Sequence, residues 1–75
     1  MLVSEIKNVI NNEIKGTGSF DSVVNSIIFL KKVKLLDEKS CSHLISIINK
    51  HKNIKKLDQY INSEKFIIDF NIYFL

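Results

Sequence analysis

Arginine, alanine, proline and tryptophan are absent from this chain, glycine occurs only at Gly16 and Gly18, and Cys41 is the sole cysteine. Each gap closes off a class of protein. One thiol cannot form an internal disulfide, and Cys41 with two histidines, His43 and His51, cannot assemble a four-ligand structural zinc site of the usual kind. Without arginine the chain lacks the guanidinium fork that reads guanine and grips phosphate, which weakens a nucleic-acid reading. No apolar run exceeds four residues, as in Ile27-Ile28-Phe29-Leu30, whereas crossing a bilayer takes about 18–20. The opening Met1-Leu2-Val3-Ser4-Glu5 has no basic stretch followed by an apolar one. With a free cysteine and no export signal, a cytoplasmic location in a bacterial or host cell is expected.

What is present is skewed in one direction. Ile, Lys, Asn, Phe and Tyr supply 39 of the 75 residues, all from AT-rich codons, while the missing or scarce types use GC-rich ones. An AT-rich gene follows, and an origin in a phage, virus or mobile element fits it. The same bias strips meaning from many lysine-for-arginine and isoleucine-for-leucine choices. A chain this short makes one domain, residues 1–75, and buries only about 60–65% of the surface its unfolded form exposes. With no staple available, dense packing or self-association must stabilise it. A homodimer is the expected form.

Hydropathy spacing predicts a mainly α fold: a small three- to four-helix bundle or orthogonal helix array with a short C-terminal β-strand or an extra helix. Leu2, Val3, Ile6, Val9, Ile10 and Ile14 fall within a stripe about 140° wide at 100° per residue, and Gly16-Thr17-Gly18 ends that helix. Ser19 or Asp21 is the expected cap of a second helix running to about Leu36. Its residues Phe29, Val33 and Leu36 point away from the main apolar face, so the helix is expected to be central and packed on two sides. Asp37 caps a third helix with Cys41, Leu44, Ile45 and Ile48 inward, and Asn53 caps a fourth, with Ile54, Leu57, Tyr60 and Ile61 inward. From Phe66 onward, Phe66, Ile68, Phe70, Ile72 and Phe74 alternate with Ile67, Asp69, Asn71, Tyr73 and Leu75. That period of two reads as a strand, with a helix using Ile67, Phe70 and Phe74 as the competing assignment.

No catalytic set is legible. Cys41 lies on an apolar stripe and reads as a buried small hydrophobe, separated from His43 by about 200° around the helix. His43 and His51 read as solvated, Glu13 as peripheral, and Gly16-Thr17-Gly18-Ser19 lacks the lysine and preceding strand of a phosphate loop. The chain is therefore expected to be no enzyme and to use neither cofactor nor metal. Charge is unevenly placed: residues 31 to 56 hold eight lysines against Asp37 and Glu38, a net of +6 in a chain of net +3. Lys31, Lys32, Lys34, Lys50, Lys52, Lys55 and Lys56 are candidates for contact with nucleic acid or an acidic partner. Against this stands the reading that both clusters complement helix C-termini. A helix-turn-helix across 42–61 would present Lys55, Lys56, Gln59 and Asn62 to a groove, but its turn lacks glycine. The favoured function is a non-enzymatic protein-binding module (a regulator, adaptor or inhibitor) acting through apolar surface and the C-terminal strand. Phe29, Val33, Phe70, Tyr73 and Phe74 are its expected partner-binding residues. The alternative is a small nucleic-acid-binding regulator using the basic block.

Overall fold

A computed structural model describes residues 3–74, with side chains as far as Phe70. The first helix, α1 (Val3–Gly16), buries Ile6 and Ile10, one turn apart on one face. Its end is closed by the backbone N–H groups of Thr17 and Gly18, which donate to the Glu13 carbonyl at 2.9 and 3.3 Å. Gly18 takes φ +62°, where a β-carbon is strained. Gly18→Ala should therefore lower stability by about 1 kcal/mol in urea denaturation, because the new methyl meets only the Ile14 carbonyl oxygen at 3.7 Å and the cost is conformational. Gly16 is helical with open space around it, so Gly16→Ala should be neutral or stabilising. Equal losses for the two variants would refute the conformational argument.

Ser19 caps α2 (Phe20–Lys32), accepting from the Ser22 N–H, and Val23, Ile27 and Leu30 turn inward. The Ser22 hydroxyl donates to the Glu13 carboxylate, so Glu13 ties α1 to α2 rather than standing idle at the periphery. The helix stops well short of Leu36. Lys34 adopts φ +64°, its N–H donates to the Lys31 carbonyl at 3.0 Å, and the Leu35 N–H donates to the Leu30 carbonyl at 2.9 Å. This paired arrangement is a Schellman stop with lysine in the left-handed position. The reversal returns Leu36 to the core and delivers the chain to Asp37.

Asp37 caps α3 (Glu38–Asn49) by accepting the Ser40 N–H at 2.7 Å, and the hydrogen bonding from Ser40 holds its carboxyl below the usual range. Cys41, Leu44 and Ile48 are buried as the stripe requires, and Ile47 joins them. The Cys41 thiol points at the Ile27 carbonyl, 3.9 Å away, as a small core residue would. Asn53 caps α4 (Ile54–Ile61) through the Lys56 N–H at 2.9 Å, and Leu57 and Ile61 are buried.

The C-terminal segment is a helix, α5 (Glu64–Phe74), and no strand occurs among the described residues. The burial pattern explains the correction. An alternating strand would bury Phe66, Ile68 and Phe70 together, yet Phe66 and Phe70 are fully buried while Ile68 is 58% exposed. Burial at i and i+4 is helical. Ile67 is also exposed, so the inward face is Phe66 and Phe70 rather than the Ile67 stripe of the competing helix assignment. A helix satisfies its own backbone groups, whereas a lone strand has no mate. Phe66 and Phe70 stack at 5.4 Å between centroids, and Tyr60 meets Phe66 edge-on at 5.7 Å.

The helices close around one core: α2 lies against α1 and α3, α1 also meets α4, and α5 packs across α1, α3 and α4. The radius of gyration, 11.2 Å, matches the roughly 11 Å expected of a compact chain of this length. No helix is long and apolar enough to cross a membrane among the described residues.

Candidate protein-binding surface

The structure divides the five apolar residues singled out by sequence. Phe29 and Val33 are 59% and 46% exposed, one turn apart on the outer face at the end of α2. Phe70 is fully buried and belongs to the core, so it is unavailable to a partner. The side chains of Tyr73 and Phe74 lie outside the described ones. Leu35, missed by sequence, joins the surface at 54% exposure. It was assigned to a longer helix, but a chain that must reverse before the Asp37 cap needs its turn somewhere in 33–36, and that requirement was readable.

Three of the five large exposed hydrophobics among the described residues thus fall within seven positions, Phe29 to Leu35. The other two, Ile67 and Ile68, sit on α5. Lys31, Lys32 and Lys34 are exposed between the three. Two of these lysines sit in the last turn of α2, where a cation suits the helix dipole. Lys34, past the helix end and in a strained conformation, has no such explanation.

The basic block is two clusters rather than one. Lys31, Lys32 and Lys34 precede α3, while Lys50 follows it, and a 12-residue helix separates the two by roughly 18 Å. In the second cluster only Lys50 stands at a helix C-terminus. Lys55 and Lys56 lie in the first turn of α4, the positive end of its dipole, contrary to the reading that both clusters complement C-termini. Lys50, Lys52, Lys55 and Lys56 are all exposed. Gln59 is exposed too, while Asn62 is engaged with Asn11 through reciprocal amide hydrogen bonds of 3.1 and 3.2 Å.

The histidines are not simply solvated, as their positions on the helix suggested. His43 is half-buried, its Nε2 enclosed and its ring stacked on Phe70 at 6.4 Å. His51 tilts against Tyr60 at 4.8 Å, and its Nδ1 lies 2.9 Å from the Ile47 carbonyl. Ile47, Lys50, His51, Tyr60, Lys65 and Asp69 line a cleft of about 230 Å³. Its central polar groups answer one another, since Tyr60 donates to the Asp69 carboxylate at 2.8 Å, joining α4 to α5. Burial, then that hydrogen bond, pushes the Tyr60 phenol well above its usual value. No group of three or more His, Cys, Asp or Glu among the described residues could hold a metal.

Burial also lowers the pKa of His43 below its ordinary 6.5, outweighing the Asp69 backbone contact that raises it. The unfolded chain then binds a proton that the folded chain resists. The stability linked to His43 is complete above about pH 6.5 and is lost as pH falls through the folded value. The melting temperature should drop as pH falls below about 6.5, and His43→Asn should flatten that drop. An unchanged slope in the variant would remove His43 as its cause.

No family of known proteins, no curated protein and no solved structure matches this chain.

Proposed function

We propose that this chain is a non-enzymatic protein-binding module, a small regulator, adaptor or inhibitor, that docks through the end of α2. One observation carries the reading: three of the five large exposed hydrophobics among the described residues, Phe29, Val33 and Leu35, fall within seven positions at the end of α2. A grouped apolar surface of this kind on a small domain marks an interaction site more often than scattered apolar residues do. The C-terminal strand has no part in it, because the segment is the helix α5 and its Phe66 and Phe70 are buried. The test is site-specific photo-crosslinking in the cell that encodes the chain. A photoreactive phenylalanine at position 29 or 33 should yield discrete protein adducts that are absent with the same group at exposed Asn12 or Ser46. Identical patterns at all four positions, or none at 29 and 33, would contradict it.

A second reading, nucleic-acid binding, is favoured by Lys55 and Lys56 lying where the α4 dipole opposes them. It requires anisotropy shifts with duplex DNA or RNA at low salt that vanish in Lys55→Glu/Lys56→Glu. No shift with either nucleic acid ends that reading.

A further inference from the structure

We propose that the surface at the end of α2 receives an acidic protein segment, one carrying large apolar side chains beside Asp or Glu, and that Lys34 is placed to meet its charge. The inference rests on the docking reading above and adds the chemistry of the partner.

Lys34 is the starting point. The left-handed position of a Schellman stop belongs to glycine, with asparagine next, and a β-carbon there costs roughly 1–2 kcal/mol. At the other left-handed position among the described residues this chain uses glycine, Gly18. The AT-rich gene accounts for lysine in place of arginine, but not for lysine in place of asparagine, because both are encoded by AT-rich codons and the chain contains eight asparagines. Composition thus leaves the choice unexplained, and strain of this kind gathers where a side chain serves a function. In sequence this lysine stands between two exposed apolar residues, Val33 and Leu35.

The surrounding charge selects the occupant. Positions 29 to 35 carry Lys31, Lys32 and Lys34 with no acidic residue among them. The nearest acids in sequence begin α3, where Asp37 is engaged with the Ser40 N–H and Glu38 follows it. A second copy docking by this same patch would set three lysines against three, which opposes self-association here. A neutral apolar partner would cover the ammonium groups without replacing their hydration, at a cost in affinity. An anionic membrane offers the charge, but three apolar residues, only one of them within α2 itself, make a small surface to insert beside the long apolar face of an interfacial helix, and vesicles test that occupant directly. Carboxylates alternating with apolar side chains satisfy both components.

The experiment selects peptides from a displayed random 12-residue library on the full-length chain. Affinities of the enriched peptides are then measured for the wild type, Lys34→Glu, Lys34→Gly and Phe29→Ser, and vesicles with and without phosphatidylglycerol are tested in parallel. Enriched peptides should carry Asp or Glu beside Phe, Leu, Ile or Trp. Their affinity should fall at least tenfold in Lys34→Glu, weaken with salt, and be lost in Phe29→Ser. Lys34→Gly should also weaken binding while remaining fully folded, which separates loss of charge from loss of structure. Neutral or basic peptides, or acidic ones indifferent to Lys34→Glu, would overturn the acidic partner while sensitivity to Phe29→Ser would leave the docking reading intact. Indifference to Phe29→Ser would bring down both. Enrichment of no peptide, or binding to phosphatidylglycerol vesicles alone, would likewise overturn the proposal.

Discussion

Phe70→Ala is expected to remove most of the stability of this protein, whereas Phe29→Ala is expected to leave it within about 0.5 kcal/mol of the wild type. The two residues have the same side chain and opposite surroundings. Phe70 is fully buried, stacked between Phe66 and His43 on the inner face of α5. Truncating a buried phenylalanine costs about 3–5 kcal/mol, because the lost burial is compounded by the cavity left behind. A domain of this size has roughly 4–11 kcal/mol in total. Phe29 is 59% exposed and its removal uncovers little. Urea denaturation followed by circular dichroism measures both. Equal midpoints for the two variants would place Phe70 at the surface and return the C-terminal segment to a role in binding.

Lys34→Gly is expected to act in the opposite direction, raising stability by about 1 kcal/mol and the melting temperature by roughly 4–8 °C. The wild-type backbone already holds φ +64° at this position, so glycine relieves the β-carbon clash without altering the stop. Part of the gain is offset, because glycine also frees the unfolded chain. Lys34→Asn should fall between the two, since asparagine tolerates the left-handed region. The order Gly, Asn, Lys in melting temperature is the signature. A less stable glycine variant would mean that the lysine side chain contributes contacts outweighing its strain.

Much of the fold was legible because capping is local chemistry. Ser19, Asp37 and Asn53 each place an oxygen where an unpaired helix N–H needs one, and all three start the helices that their positions imply. The helical spacing of apolar residues likewise marked Ile6 and Ile10, Cys41, Leu44 and Ile48, and Leu57 and Ile61 as inward, though it missed Ile47 on α3. The C-terminal segment misled because codon bias fills it with isoleucine and phenylalanine, making alternation cheap and β-propensity uninformative. What decided between strand and helix was tertiary: a ring pair at Phe66 and Phe70 and a surface formed by α1, α3 and α4 to receive it. Spacing alone does not encode that. The exposed side of the candidate surface was partly readable, since Phe29 and Val33 fall off the main stripe of α2. Lys34 was not, because a left-handed lysine carries no sequence signal of its own. The histidines were misjudged for a related reason: the residues that cover them, Phe70 and Tyr60, arrive from α5 and α4.

In this fold the end of α2 is open while the inner face of α5 is closed. NMR with a soluble paramagnetic cosolute tests both halves in one spectrum, since it broadens side-chain signals according to their access to solvent. Strong broadening is expected at Phe29, Val33 and Leu35, and little at Phe66 and Phe70. Broadening at Phe70 with protection at Phe29 would contradict it, showing α5 loose and the end of α2 covered.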